Sequence, residues 1–315
     1  MPPWAETFAQ RAAFARVGFM IAFRKLMQIG GRGRIGRPAK RRGSPRVLDS
    51  KTTTFEGIKV HYWEGGSGFP VLMLHGVGPG TSIQGNFGPV LEPLAAHCRI
   101  VAMDLIGFGA SGRKPSEPYF DVDLWVRQAE ALLAMLPAGE CGVAGHSMGG
   151  ALALKLAARH PRIGRVLTSS SVGARYALPA ALDQFWSATG DRAQLRQAMA
   201  EMVNDPAAVT EAMIEDRYKF LSSGDYAAYF SRMFAAPRQR YLDAGVLTDA
   251  ELASIRARVV MLHGRDDKPC PPAATTLAVA AKLPHADVVL LGRCGHNLPR
   301  ERTRDYLDAA KALFV

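Results

Sequence analysis

The stretch CGVAGHSMGGALALKLAAR, residues 141–159, decides the fold expected for this chain. It begins with a short apolar run, continues through a Gly-x-Ser-x-Gly turn and ends with the composition of a helix. Small residues beside a serine allow a tight strand-to-helix turn, which holds the hydroxyl clear of its surroundings. We therefore predict that Ser147 is a nucleophile, although a plain glycine-rich turn would also explain these residues taken alone.

Other apolar runs of the same kind occur at Val71 to Leu74, Arg99 to Leu105 and Arg165 to Ser169, with helix-like stretches between them. Because these runs do not alternate with polar residues, they are typical of strands buried on both faces of a parallel sheet. Two β-rich runs, Thr52 to Phe55 and Ile58 to Trp63, precede them and predict a hairpin. Strands that alternate with helices indicate a doubly wound α/β fold.

The alternation stops between Gly173 and about Arg256, where only helix-like segments occur, and resumes with apolar runs at Arg258 to His263 and Ala286 to Leu291. The sequence therefore predicts a doubly wound, mostly parallel sheet with a helical lid inserted into it. The parts expected are a basic N-terminal arm (1–50), a core (51–172 and 257–315) and the lid (173–256).

The composition fits a globular protein with a substantial core, since 48% of the residues are hydrophobic and 21% are charged. A chain of 315 residues can form one α/β domain with an insertion. Cys98, Cys141, Cys270 and Cys294 lack CxxC spacing and read as reduced thiols, so we expect neither disulfides nor a metal site. Reduced thiols favour a cytoplasmic protein, and no motif calls for a cofactor.

The net charge of +11 lies almost entirely in the arm. Residues 1–50 contain eleven Lys or Arg and two acidic residues, so the remainder of the chain is nearly neutral. A body of this kind does not indicate binding to nucleic acid.

Within the arm, Trp4 to Ile29 has the periodicity of an amphipathic helix, and its longest apolar run, Val17 to Phe23, is too short to span a bilayer. Two interpretations have equal weight. The helix and the basic stretch after it could make peripheral membrane contact through residues 1–46, or the helix could dock on the chain's own body or on a partner. A mitochondrial transit peptide is a third reading, weakened by the scarcity of Ser and Thr.

A nucleophilic serine needs a base and an orienting carboxylate. In a doubly wound sheet we expect both at the carboxyl ends of strands. His296 follows the last strand on a glycine-containing loop, and the preceding strand is followed by Asp266 and Asp267. Neighbours in an extended loop point in opposite directions, and Gly-x-x-Asp spacing favours Asp267. The chain order Ser147, Asp267, His296 matches that of the α/β-hydrolase triad.

Stabilisation of an oxyanion requires N–H donors beside the serine. Met148 supplies one backbone N–H at the start of a helix, and the glycine-rich loop His75 to Gly80 supplies another, from Val77. Gly76 and Gly78 in that loop would let the backbone approach a substrate closely.

From about residue 50 to residue 315 the chain resembles the α/β-hydrolases, and more narrowly the meta-cleavage product hydrolases, which cleave carbon–carbon bonds in bacterial degradation of aromatic compounds. The resemblance rests on the glycine-rich loop followed by Asn86, on DLIGFGAS at 104–111, on GRDD at 264–267 and on the segment around Arg217. It implies that Arg217 and Asn86 hold the dienoate end of a substrate.

Two positions depart from the pattern of that family. His146 stands where Asn is common, and Asn297 stands where Trp is common. Both positions line the substrate pocket in the family, and His before the serine is common in ordinary esterases. The resemblance therefore implies hydrolysis of a 2-hydroxy-6-oxo-hexa-2,4-dienoate-type substrate, with a carboxylesterase or lipase-like enzyme as the alternative.

A non-catalytic binding protein with this fold is disfavoured, because Ser147, Asp267 and His296 are all present. Dehalogenases and epoxide hydrolases are disfavoured as well, since they use Asp in place of the serine. The partner expected is a small-molecule substrate, and the sequence leaves open whether the chain forms a homo-oligomer.

Overall fold

The computed structural model describes residues 48–188 and 191–315. The amphipathic helix and the basic stretch of the arm lie outside these residues and stay predictions. Leu48, Asp49 and Ser50, which the sequence assigns to the arm, lie in the first strand, so the core begins slightly earlier than expected. Within the described ranges, every helix is too short or too polar to cross a membrane.

Eight strands form one sheet in the order β1-β2-β4-β3-β5-β6-β7-β8. The strands are β1 Leu48–Phe55, β2 Ile58–Gly65, β3 Phe69–Leu74, β4 Cys98–Met103, β5 Cys141–His146, β6 Ile163–Ser169, β7 Arg258–Gly264 and β8 Asp287–Leu291. β1 and β2 pair antiparallel, β2 also pairs antiparallel with β4, and every later pair is parallel. The doubly wound, mostly parallel sheet expected from the sequence is confirmed.

The predicted hairpin joins β1 and β2 through Glu56 and Gly57, whose φ angles are 47° and 76°. Positive φ at both central residues is typical of a type I′ turn, which suits the right-handed twist of the paired strands. The turn sets the register of β1 on β2, with Phe55 opposite Ile58.

Helices connect the parallel strands and form the insertion. They are α1 Ile83–Ala95, α2 Val122–Leu133, α3 Met148–Arg159, α4 Ala180–Ser187, α5 Arg192–Ala200, α6 Glu211–Leu221, α7 Tyr226–Met233, α8 Gln239–Asp243, α9 Asp249–Ser254, α10 Thr276–Ala280, α11 Leu298–Glu301 and α12 Thr303–Phe314, with a 3₁₀ helix at Pro206–Ala208. Side-chain oxygens cap several N-termini: Ser82 accepts from the N–H of Gly85, and Thr248 forms a capping box with Glu251.

The central strands are buried on both faces, as their continuous apolar sequence predicts. In β3, Leu72 and Leu74 pack into a core cluster that contains Trp125 of α2. Val71 and Met73 face the opposite side, in a cluster that contains Phe87 of α1. Each such side chain contributes about 1.5–3 kcal/mol of transfer free energy, so both faces of the sheet help to stabilise the fold.

Helices α4 to α9 lie between β6 and β7 along the chain and pack over loops that follow the carboxyl ends of β3 and β4. The Trp186 indole N–H contacts the carbonyl of Val77 at 3.4 Å, and the Tyr226 hydroxyl donates to the carbonyl of Gly107 at 3.0 Å. The sequence predicts helix-like segments here, such as Arg192 to Val203, Ala207 to Leu221 and Tyr226 to Phe234, and the structure adds α4, α8 and α9. Of the added helices, α8 and α9 have five and six residues, which is too short for a clear helical periodicity.

Candidate active site

Ser147 lies at a sharp turn between β5 and α3, with φ 56° and ψ −121°. Such a backbone is strained for a residue with a side chain, and strain of this kind is concentrated at functional sites. The neighbouring glycines make the turn possible: a Cβ on Gly145 would lie 2.1 Å from the carbonyl oxygen of Gly149, and one on Gly149 would lie 2.3 Å from that of Leu74. The predicted nucleophile elbow therefore has a steric reason for both of its glycines.

His296 and Asp267 meet at the carboxyl ends of β8 and β7. The Nδ1 of His296 lies 2.8 Å from Oδ2 of Asp267, and both residues are buried. Asp266, the rejected alternative, is exposed and accepts a hydrogen bond from the N–H of Cys294 at 3.3 Å. The structure brings Asp267 and His296 together, and His296 lines the same pocket as Ser147.

The charges of this pair shift both pKa values. Burial disfavours ionised Asp267, but His296 and a hydrogen bond from His263 outweigh burial and hold the pKa of the carboxyl well below its ordinary value. Burial also disfavours protonated His296, but the negative charge of Asp267 outweighs it and raises the pKa of the imidazole well above its ordinary value. An ionised Asp267 thus accepts from Nδ1–H and leaves Nε2 for acid–base chemistry.

A second buried histidine, to which the sequence analysis gave no role, supports Asp267. Nε2 of His263 lies 2.7 Å from the carbonyl oxygen of Cys270 and 3.1 Å from Oδ2 of Asp267. Nδ1 of the same ring lies 2.6 Å from the hydroxyl of Thr276. His263 is the penultimate residue of β7 and precedes Asp267 by four residues. This position is the sequence signal that could have revealed its role.

Two backbone N–H groups are available beside Ser147. Among the described residues, no acceptor hydrogen-bonds to the N–H of Val77 or of Met148. Gly76 packs against the serine, since a Cβ there would lie 2.8 Å from Cβ of Ser147. Asn86 Oδ1 accepts from the N–H of Gly76 at 2.9 Å and so holds this loop in place.

A narrow pocket of about 30 Å³ opens over the serine, which is room for about two water molecules. Most of the residues predicted to bind substrate line it, together with several that the sequence analysis did not single out. The lining residues are Gly76, Val77, Thr81, Asn86, His146, Ser147, Phe185, Met199, Met202, Val203, Met213, Arg217, His296 and Asn297.

Gly78, which the sequence predicts to bind substrate, is not among the residues that line this pocket. It lies against the ring of Phe185, where a Cβ would come within 2.2 Å of a ring carbon. The absence of a side chain at Gly78 thus admits the phenyl ring of the insertion, and that ring lines the pocket in its place.

Arg217 reaches the pocket from α6 of the insertion. Its Nη1 donates to the carbonyl of Pro79 at 2.9 Å and to the hydroxyl of Thr81 at 2.7 Å. Within the described part of the chain, Arg217 forms no ion pair with an Asp or Glu. Burial and the nearby charge of Arg300 lower its pKa to about 10, which still leaves it protonated at neutral pH. A buried cation without a protein anion is expensive unless a ligand supplies the counter-charge.

His146 and Asn297, the two departures from the family pattern, are neighbours of His296: the ring centroid of His146 lies 5.0 Å from that of His296, and Asn297 follows His296 in the chain. Nδ1 of His146 lies 3.1 Å from the carbonyl oxygen of Ser169, which can only accept, so Nδ1 carries the proton. Burial and the charge of His296 hold the pKa of His146 well below its ordinary value, and neutral Nε2 is therefore an acceptor. Oδ1 of Asn297 is buried and has no hydrogen-bond partner in the described chain.

One set of side chains in the described ranges has the spacing of a metal site, namely Asp267, Cys270 and His296, whose ligand atoms lie within 4.8 Å of one another. Asp267 and His296 are hydrogen-bonded to each other. A metal ion between them would replace that bond, so we assign the pair to acid–base chemistry.

The comparisons with known proteins agree with this geometry. The model of the alpha/beta hydrolase family matches residues 71–309. A 2-hydroxy-6-oxo-2,4-heptadienoate hydrolase of Pseudomonas putida is 33% identical over 252 residues, which cover 80% of this chain and 91% of that protein. A 2-hydroxymuconate semialdehyde hydrolase of Pseudomonas sp. (strain CF600) is 33% identical over 241 residues, covering 76% and 84%.

Among solved structures, a meta-cleavage product hydrolase from Pseudomonas fluorescens IP01 in complex with acetates superposes with a TM-score of 0.78 at 28% identity, covering 83% of this chain and 96% of that one. The chain therefore belongs to the alpha/beta hydrolase family and is a hydrolase. Within that family it belongs with the meta-cleavage product hydrolases, which confirms the resemblance seen in the sequence.

Proposed function

We propose that this enzyme hydrolyses a carbon–carbon bond in a 2-hydroxy-6-oxo-hexa-2,4-dienoate-type substrate. The single observation that carries the proposal is Arg217, a buried guanidinium that lines the same pocket as Ser147 and has no carboxylate partner among the residues that the structure describes. A guanidinium binds a carboxylate through charge-assisted hydrogen bonds. An anionic dienoate supplies the missing counter-charge, whereas a simple neutral ester does not.

The catalytic roles follow from the positions of the side chains. His296, oriented by Asp267, takes a proton from Ser147 or from a water molecule, and the resulting nucleophile attacks the carbonyl carbon. The N–H groups of Val77 and Met148 stabilise the oxyanion that forms there.

Collapse of that intermediate breaks the carbon–carbon bond. The released fragment must carry the bonding electrons, and the dienol accepts them only after it has taken its keto form. A proton then joins the carbon that leaves. If water was the nucleophile, the other product is a carboxylic acid; if Ser147 was the nucleophile, it is an acyl-serine, which a water molecule activated by His296 hydrolyses to the acid and free Ser147.

The other polar groups that line the pocket suit the dienoate end of the substrate. Arg217 and the amide of Asn86 would hold the carboxylate, and Nε2 of His146 and Oδ1 of Asn297 would accept from the hydroxyl of the dienol. The apolar side chains Phe185, Met199 and Val203 would enclose the acyl side.

The inserted helices, α4 to α9, would act as a lid. The insertion supplies Phe185, Met199 and Met213 to the lining of the pocket over Ser147, so its movement would open and close the site. Ligands of open α/β sheets bind at the carboxyl edge of the strands, which is the edge that these helices contact.

The test is a pair of assays on one preparation: decay of the yellow dienolate absorbance, and release of nitrophenol from a short neutral ester. We expect a much higher kcat/KM on the dienoate, and loss of both activities in Ser147→Ala. Fast turnover of the ester with no turnover of the dienoate would overturn the proposal.

A carboxylesterase is the second candidate, and His146 is the observation that favours it. This histidine stands where the related hydrolases commonly have Asn and where ordinary esterases commonly have His. The same pair of assays separates the two functions.

A further inference from the structure

A second serine, histidine and aspartate are hydrogen-bonded in series away from the pocket. Oγ of Ser50 lies 2.9 Å from Nε2 of His61, and Nδ1 of His61 lies 2.8 Å from Oδ2 of Asp104. Ser50 is exposed, while His61 and Asp104 are buried. None of the three lines the pocket over Ser147.

The register of the sheet brings these residues together. In the hairpin, Ser50 lies opposite Trp63 and Thr52 lies opposite His61, so Ser50 and His61 are diagonal neighbours on one face. On its other side β2 pairs with β4, and Asp104 follows β4 directly, where its N–H donates to the carbonyl of His61 at 3.0 Å.

The hydrogen bonds of Asp104 determine where the protons lie. Its Oδ1 accepts from the N–H of Ile83 at 2.7 Å, and its Oδ2 accepts from the N–H of Ala110 at 3.0 Å. Because both carboxylate oxygens are acceptors, Nδ1 of His61 must be the donor toward Asp104. When Nε2 carries no proton, its lone pair faces the hydroxyl of Ser50. The relation is the one that a catalytic base has to its serine.

We propose that Ser50 is a second nucleophilic serine, activated by His61 and Asp104, and that it takes an acyl or phosphonyl group from a small activated electrophile. The inference does not depend on the substrate of the main pocket. A positioned base accelerates a reaction by about 10²–10⁴-fold. Ser50 should therefore react faster than an ordinary exposed serine by that factor. Ser50 lies within a strand and lacks the helix N-terminus that follows Ser147. Because one missing oxyanion donor lowers the rate by about 10²–10³-fold, Ser50 should react more slowly than Ser147.

The reaction with a fluorophosphonate illustrates the chemistry. Oγ of Ser50 forms a bond to phosphorus, the P–F bond breaks, and fluoride leaves with the bonding electrons. The hydroxyl proton passes to Nε2 of His61 and from there to solvent.

The experiment uses the full chain with Ser147→Ala, which removes the competing nucleophile. The protein is incubated with an alkyl fluorophosphonate, and the adducts are mapped and timed by peptide mass spectrometry. We expect an adduct at Ser50 that forms about 100-fold faster than any at Ser254. Ser254 is the internal control, because it is also exposed but its hydroxyl donates to the carbonyl of Ala250, and no histidine of the described ranges accepts from it.

Two further variants, both in the Ser147→Ala background, identify the base. Ser50→Ala should abolish the adduct, and His61→Gln should slow it about 100-fold with a thermal melt close to that of the parent. The proposal is overturned if Ser50 reacts no faster than Ser254, or if His61→Gln folds and reacts at the parent rate. Should His61→Gln fail to fold, the rate ratio of Ser50 to Ser254 still decides the question.

Discussion

Nε2 of His263 lies 3.1 Å from Oδ2 of Asp267 and 2.7 Å from the carbonyl oxygen of Cys270. A carbonyl oxygen cannot donate, so Nε2 of His263 carries a proton and can donate to both acceptors. The oxygen of Asp267 that faces His296 is therefore shared between two imidazoles. His263 thus acts on His296 through the carboxylate, as a positioning residue.

We expect His263→Leu to lower kcat by about 10–100-fold, the value of a charge-assisted hydrogen bond worth roughly 1.5–3 kcal/mol. Without this donor Asp267 holds the proton of His296 more tightly, so the acid limb of the pH–kcat/KM profile should move to higher pH. His263→Gln restores an N–H donor and should recover most of the activity. A loss of kcat with an unchanged limb would mean that His263 only supports folding.

Asp267 should control the pH dependence of the reaction. The base must be neutral to act, and the negative charge of Asp267 raises the pKa of His296 well above about 6.5. Activity should therefore be lost as pH falls through a value above 6.5. Asp267→Asn removes the charge, so kcat should fall by about 10³-fold or more. The acid limb of the activity that remains should lie at a lower pH than in the parent.

Asp266→Asn is the matched control for this experiment, since Asp266 is the exposed neighbour of Asp267. It should keep nearly full activity and the parent pH profile. The assignment of the acid would be wrong if Asp266→Asn were the crippling change and Asp267→Asn the mild one.

Arg217→Ala should lower kcat/KM on a dienoate at least tenfold, because a charge-assisted contact of roughly 1.5–3 kcal/mol is lost. The same change should have little effect on a neutral nitrophenyl ester, which carries no carboxylate. Arg217→Lys keeps the charge without the bidentate geometry and should give an intermediate loss. The measurement is kcat/KM for both substrates with each variant.

Lys219→Ala is the control for Arg217, since Lys219 is exposed two residues further along α6. It should leave both activities unchanged. Equal losses on the two substrates in Arg217→Ala would show that Arg217 supports the insertion through Pro79 and Thr81 and does not bind the carboxylate.

Gly76→Ala tests how closely the oxyanion loop approaches the serine. The added methyl group would lie 2.8 Å from Cβ and 3.3 Å from Oγ of Ser147. Either the loop or the serine must move, and a displacement approaching 1 Å costs about 10²-fold in rate. We therefore expect a drop in kcat of that order on both substrates.

Gly85→Ala is the matched control, because a methyl group there would meet only Oγ of Ser82, at an ordinary 3.4 Å. Its kcat and melting temperature should stay close to those of the parent. Near-normal kcat in Gly76→Ala would contradict the close packing of the loop on Ser147.

The features that depend on local patterns can be predicted from the order of the residues. Local patterns predicted three features: the Gly-x-Ser-x-Gly turn, the continuous apolar strands, and the loops that carry Asp267 and His296. These features are predictable because a strand and the turn or loop after it are neighbours along the chain. The family pattern added Arg217 and Asn86. Short helices such as α8 and α9 were missed because five or six residues show too little periodicity.

Contacts between side chains that are distant in the sequence depend on the packing of the folded chain. Strand order placed β4 between β2 and β3, so Asp104 lies beside His61, and the register of the hairpin put Ser50 on the same face. Packing of the insertion, with Arg217 bonded to Thr81 across 136 residues, placed the ring of Phe185 against Gly78 and in the lining of the pocket. These contacts depend on crossover connections and on the fit of packed surfaces, which a local pattern in the sequence does not encode.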